Sequence, residues 1–103
     1  MAIELSAAQK KLLRSRGQTL SPTCTVGKAG LSEAAVANID ALLDQHELIK
    51  VRLAEAQGPQ RAAMASELAE HTNSSVVGVV GKNLLLYRAN EEIEPRKRIH
   101  LPR

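Results

Sequence analysis

The stretch VGKAGLS, Val26 to Ser32, sets Gly27 and Gly30 three positions apart with Lys28 and Ala29 between them, directly ahead of a helical pattern. These are the parts of an anion cradle. Glycine lacks Cβ, so it takes positive φ freely and lets another backbone come close. A helix starting just beyond presents unpaired N–H groups and the positive end of its dipole. Lys28 adds a full mobile charge at the tip. KH domains clamp a nucleic-acid backbone with a GXXG loop that works in this way. The competing reading is a strand-to-helix turn whose glycines serve only a positive φ. Glu33, in the first helical turn, suits the dipole but repels phosphate.

A second cationic group precedes the loop. Lys10, Lys11, Arg14 and Arg16 fall in one predicted helix that has no acid to balance them. Like charges three or four residues apart cost an isolated helix about 0.2–0.5 kcal/mol per pair, a cost that an external anion removes. Arg14 and Arg16 also favour the negative end of the dipole with no ligand at all. Further along, Lys50 and Arg52 alternate with apolar residues, forming either a basic strip on an open sheet face or plain solvated charges. Arg88, at the end of the strand pattern NLLLYR, is a candidate to add to the same surface. Residues 1–30 hold five cations against Glu4, whereas residues 31–48 hold Glu33, Asp40, Asp44 and Glu47 and no Lys or Arg. That asymmetry suggests one side that meets a polyanion and one that faces away.

Other chemistries find little support. Cys24, the single cysteine, excludes an internal disulfide and sits in a strand pattern, as a small core residue does. His46, His71 and His100 lack ligand spacing, so no metal site is expected. There is no P-loop, dinucleotide fingerprint or nucleophile elbow, and neither a cofactor nor an enzymatic activity is expected. No stretch approaches the roughly 20 apolar residues of a membrane span, and the expectation is a soluble, cytoplasmic protein. With no Phe, no Trp and one tyrosine, Tyr87, the chain cannot stack several bases on aromatic side chains. Tyr87 suits the core or a platform equally. A nucleic-acid partner would be held by phosphates, sugars and helical shape, which favours structured RNA.

The elements that must position these residues can be read in order along the 103 residues, a length that suits one domain over 1–103. Ser6 and Gln9 form a capping-box pattern opening a helix over about 6–16, with Ala8, Leu12 and Leu13 apolar and Gly17 as its stop. Residues 23–26 read as a strand after Pro22. Ser32 caps a second helix over about 33–46, with Leu31 and Val36 as a staple and Val36, Ile39, Leu42 and Leu43 on its buried face. Asp40 and Asp44 are expected to face solvent. LIKVRLA switches to period two, with Ile49, Val51 and Leu53 on one face and Lys50 and Arg52 on the other. Gly58-Pro59 starts a third helix over about 60–72. SVVGVV, Gly81-Lys82 and NLLLYR make a hairpin with a type II′ turn. Residues 89–103 read as a tail or extended edge segment. The order α-β-α-β-α-β-β implies an α/β domain with a four-stranded mixed sheet, its first two strands parallel through a right-handed crossover.

LSAAQKKLLRSRG, VGKAGLSEAAVANIDALLDQHELIKVRL, VVGVVGKNLLLYR and the RKRIHLPR ending together resemble the CRM domain (chloroplast RNA splicing and ribosome maturation), in particular its bacterial stand-alone, YhbY-like members. The resemblance runs from about Leu5 to Arg103. It implies a fold like that of the C-terminal domain of translation initiation factor three. It further implies RNA binding and association with ribosomal RNA in precursors of the large subunit during assembly. The family's GxxG loop falls on Gly27, Lys28, Ala29 and Gly30, and its basic first helix on Lys10, Lys11, Arg14 and Arg16. TCT at 23–25 departs from the more apolar first strand of the family. The alternative function is a protein-interaction module that uses the acidic second helix.

Overall fold

Ser6 opens the first helix through a reciprocal capping box. Its Oγ accepts from the Gln9 N–H at 3.2 Å, and Gln9 Oε1 accepts from the Ser6 N–H at 2.9 Å. The computed structural model describes residues 5–27, 31–54 and 58–101. In it α1 spans Ala7–Gly17, β1 Cys24–Val26, α2 Glu33–His46, β2 Leu48–Leu53, α3 Gly58–Thr72, β3 Ser75–Val80 and β4 Asn83–Tyr87, followed by a 3-10 turn at Pro95–Lys97. The order of elements is the expected one. Ser32 Oγ accepts from the Ala35 N–H at 3.1 Å and caps α2.

The strands form one mixed sheet in the order β1-β2-β4-β3. β1 runs parallel to β2, with Val26 opposite Leu53. β4 lies antiparallel to both β2 and β3, with Lys50 opposite Leu85 and Arg52 opposite Asn83. Gly81 turns the hairpin at φ +59° while Lys82 stays out of the left-handed region, as a type II′ turn requires. The register skips a residue between Val76 and Gly78. This bulge turns Val77 onto the face that Gly78 and Leu85 share.

Both faces are covered, giving three layers. On one, Ile39 and Leu43 of α2 and Ala65, Leu68 and Ala69 of α3 pack on Val26, Ile49, Val51, Leu53, Leu84 and Leu86. On the other, Leu5 and Leu13 pack on Leu48, Val77, Leu85 and Tyr87, joined by Ile99 and Leu101 from beyond the last strand. Tyr87 is therefore a core residue. Burial, and then the negative charge of Glu47, push its phenol above the ordinary tyrosine value. Burial likewise pushes the Cys24 thiol up, and this half-buried side chain packs against the α2–α3 side of the core.

The buried line of α1 differs from the expected one: Leu13 and Gly17 are buried, Leu12 is half-buried and Ala8 is exposed. Gly17 is the reason. A Cβ there would stand 2.6 Å from Leu85 Cδ1, so its absence lets the C-terminal turn of α1 settle directly on β4.

Residues 89–101 are not a free tail or an edge strand. Glu47, the single residue joining α2 to β2, has φ +61° and is buried. Its carboxylate accepts from the Asn90 N–H at 2.8 Å, the Ile99 N–H at 3.0 Å and Arg98 Nε at 3.2 Å. Three donors offset the cost of taking a carboxylate out of water, and they fasten the segment over the second face of the sheet.

Candidate functional site

Along β2 the side chains of Leu48, Lys50 and Arg52 stand on the α1 side of the sheet, because alternation carries them opposite to Ile49, Val51 and Leu53. Leu48 is buried beneath the α1 cluster, Lys50 is half-buried and Arg52 is exposed. Gly17 and Gln18, at the end of α1, line a small cavity of about 90 Å³ with Lys50, Val80, Asn83 and Leu85. Asn83 Oδ1 is buried without a hydrogen-bond partner among the described residues. Arg14 lies across β3, its Cδ 3.5 Å from where a Cβ on Gly78 would be. Lys10 precedes Arg14 by one helical turn in the same row. Lys10, Arg14, Lys50 and Arg52 thus belong to one face of the molecule.

Gly27 borders that face. Val26 O accepts from the Ala54 N–H at 3.2 Å, and the Leu53 N–H donates to Lys82 O at 2.7 Å. β1 therefore ends, and Gly27 stands, at the end of the sheet that holds Arg52 and the exposed Lys82. Arg61 Nη1 donates to Gly81 O at 3.2 Å and braces the hairpin there. Among the described residues a Cβ on Gly27 would meet nothing within 4 Å, and its φ is not positive. Neither packing against the described residues nor left-handed backbone accounts for a glycine at this position. Lys28, Ala29 and Gly30 lie outside the described residues.

The remaining predicted cations part company with this group. Lys11 is exposed. Arg16 turns to the opposite flank of α1, where it lines a separate cavity with Thr23, His46 and Leu48. Among the described residues no carboxylate pairs with Lys10, Lys11, Arg14, Arg16, Lys50 or Arg52.

Arg88 corrects the sequence expectation. It follows Tyr87, which pairs with Leu48, so it sits at the sheet end remote from Arg52. Its side chain is only 18% exposed and is consumed internally. It donates to Asp40 Oδ1, Asp40 O at 2.9 Å, Asp44 Oδ1 at 2.8 Å and Thr72 O at 2.7 Å. Asp40 and Asp44 face solvent as expected and also anchor this lock, while Glu47 holds the C-terminal segment. The acidic section of the sequence is thus largely spent on internal contacts, which weakens the case for α2 as a contact surface.

The sequence reading missed Glu47 and the packing role of Gly17. For Glu47 a signal existed: HELIK leaves one residue between helix and strand, and such a joint favours an unusual backbone conformation. Among the described residues no group of His, Cys, Asp and Glu is placed to hold a metal ion. No described helix is long and apolar enough to cross a membrane.

Comparison with known proteins agrees with this architecture. The CRS1 / YhbY (CRM) domain matches residues 5–88. The chain is 41% identical over 86 residues to the "Probable RNA-binding protein PA4753" of Pseudomonas aeruginosa, covering 84% of this chain and 83% of that one. It is 35% identical over 99 residues to a protein of Haemophilus influenzae named "RNA-binding protein", covering 96% of each. The solution structure of the hypothetical protein SAV1595 from Staphylococcus aureus superposes with a TM-score of 0.83 at 33% identity, over 96% of this chain and all of that one. A mixed four-stranded sheet between α1 on one face and α2 and α3 on the other, in a chain with this match, places the protein in the CRS1 / YhbY (CRM) domain family.

Proposed function

We propose that this chain binds structured RNA through the α1 side of its sheet, and that its partner is ribosomal RNA in large-subunit precursors in the cytoplasm. The observation that carries the reading is the shared placement of Lys10, Arg14, Lys50 and Arg52 on one face bordered by Gly27, with no described carboxylate paired to any of them. Membership of the CRM family and the RNA-binding names of two relatives support it. The ribosomal assignment rests on the resemblance to ribosome-maturation members of that family.

In this reading one RNA backbone runs from the Lys10–Arg14 row across Lys50 and Arg52 to the loop of Gly27, Lys28, Ala29 and Gly30. Lys28 and the loop N–H groups take the last phosphate, and the bare Gly27 lets the sugar–phosphate chain approach. Because Tyr87 is in the core, bases are not stacked on it; phosphate position and duplex shape supply the recognition. The activity is binding, with no cofactor and no bond made or broken.

The test is fluorescence anisotropy on a large-subunit ribosomal RNA hairpin across a salt series. Five cations (Lys10, Arg14, Lys28, Lys50 and Arg52) that each neutralise one phosphate of a duplex give a log–log slope of roughly −4.5. Affinity then falls about 500-fold between 50 and 200 mM salt. Arg14→Glu with Arg52→Glu, in a variant whose circular dichroism and melting match the parent, abolishes binding. Unchanged affinity in that variant sinks the surface. Crosslinking in cells that recovers no enrichment of ribosomal RNA sinks the biological assignment alone.

A further inference from the structure

We infer that the cavity on the far flank of α1 receives one unpaired nucleotide of the bound RNA. The inference rests on the RNA-binding reading above and names the part of an RNA that enters this second site.

The cavity measures about 330 Å³, at the lower end of the range for small-molecule sites. Leu20, Leu48 and Ile99 give it an apolar floor, while Arg16 from the end of α1 and His46 from the end of α2 stand at its rim. Thr19 and Thr23 complete the lining. Their hydroxyl protons are already donated, to Arg16 O at 3.0 Å and Lys50 O at 3.2 Å. What each Oγ offers an incoming ligand is therefore an acceptor lone pair. The lining contains no carboxylate. Nearby acids are engaged elsewhere: Asp44 holds Arg88, and the Glu47 carboxylate is turned to the C-terminal segment.

An aliphatic slot, hydroxyl acceptors and a rim of one guanidinium and one imidazole fit the parts of a nucleotide. The base enters the slot, its amino or imino hydrogens meet the threonine oxygens, and its phosphate meets Arg16 and His46. A base in a duplex cannot reach such a slot, so the occupant is a bulged or looped nucleotide that has left the stack. The site is built in advance of binding. Ile99 is pinned by the Glu47 carboxylate at 3.0 Å, and Leu20 is held by its N–H to Gly17 O at 3.1 Å. Arg14 and Arg16 occupy opposite flanks of one helix, so a backbone gripped along Lys10 and Arg14 can place a nucleotide over the helix end into the cavity. Walls without Phe, Tyr or Trp grip a base chiefly by shape and dispersion, which predicts weak preference among the four bases.

Two measurements on the full chain test this. Methyl-detected NMR titration with each ribonucleoside 5′-monophosphate should shift the methyls of Leu20, Leu48 and Ile99 saturably. Anisotropy should show an RNA hairpin with a one-nucleotide bulge binding about tenfold more tightly than the same hairpin without it. His46→Ala should erase most of that advantage while leaving the uninterrupted hairpin bound as before. Unmoved methyls, or equal affinity for the two hairpins, overturns the cavity while the RNA-binding reading stands. Failure of the parent protein to bind either hairpin overturns that reading and this inference together. The nucleotide titration uses the unaltered chain, so it holds even if His46→Ala misfolds.

Discussion

Replacing Arg88 by alanine separates a structural arginine from an RNA-contacting one. The guanidinium joins β4 to α2 and to the end of α3 through Asp40, Asp44 and Thr72. Asp40 and Asp44 are 52% and 67% exposed, so each ion pair is discounted to about 0.5 kcal/mol for solvent screening. The two backbone carbonyls, Asp40 O and Thr72 O, lose a charged donor at about 1 kcal/mol each. The total is about 3 kcal/mol, a large share of the roughly 5–15 kcal/mol that holds a domain together. For a chain of this size the melting temperature should fall by roughly 10–25 °C. Urea unfolding followed by circular dichroism measures the loss, and RNA affinity is read at a temperature where the variant is folded. Affinity within about twofold of the parent is expected. Arg88→Lys should recover only part of the stability, because one ammonium cannot serve two carboxylates and two carbonyls in a planar fork. A variant that melts like the parent but loses tenfold or more in RNA affinity would refute the lock and return Arg88 to the binding surface.

Other perturbations probe the same framework. Gly17→Val drives side-chain atoms into Leu85 and should cost about 2 kcal/mol by overpacking, measured by urea unfolding. Glu47→Ala leaves the Asn90 and Ile99 N–H groups and Arg98 without their acceptor, at about 3 kcal/mol; trypsin should then cut within residues 96–98 well before it cuts the parent. Gly81→Ala meets no neighbour but must hold φ +59°, so about 1 kcal/mol of destabilisation should arise from backbone alone. Tyr87 should titrate above the ordinary 10.0 because burial and then Glu47 oppose its ionisation. Its folded state keeps a proton that the unfolded chain releases first, so this contribution is full below the unfolded value and is lost as pH rises through the folded one. With no tryptophan present, tyrosinate absorbance follows this one residue, and a midpoint at or below the ordinary value would contradict its burial.

The fold was legible because periodicity and punctuation agree. Ser6 with Gln9, Ser32 ahead of an amphipathic run, the alternation in LIKVRL and Gly81 at the hairpin each act within a few residues, and each appears where local chemistry requires it. The pairing of β2 with β4 joins residues 31 to 39 positions apart, and Arg88 and Glu47 find their ionic partners more than 40 positions away, which spacing alone does not reveal. Charge counting saw Asp40, Asp44 and Glu47 as one acidic section and had no means of finding the arginines that occupy them. Of the candidate site, alternation gave the common face of Lys50 and Arg52. Helical phase sets Arg14 and Arg16 about 200° apart on α1, but it could not say which of them meets β3, because that depends on how Gly17 seats the helix.

The place of β4 in the sheet constrains how the chain acquires its shape during synthesis. Its partners on either side, β2 and β3, are made earlier and do not touch each other in the finished sheet. Until residues 83–87 emerge, the growing polypeptide has two unjoined strand edges and no floor for α1 beyond Leu48 and Val77. Closure of the sheet therefore waits for β4, and a nascent chain paused before that point leaves apolar surface and strand edges uncovered, which is an aggregation hazard.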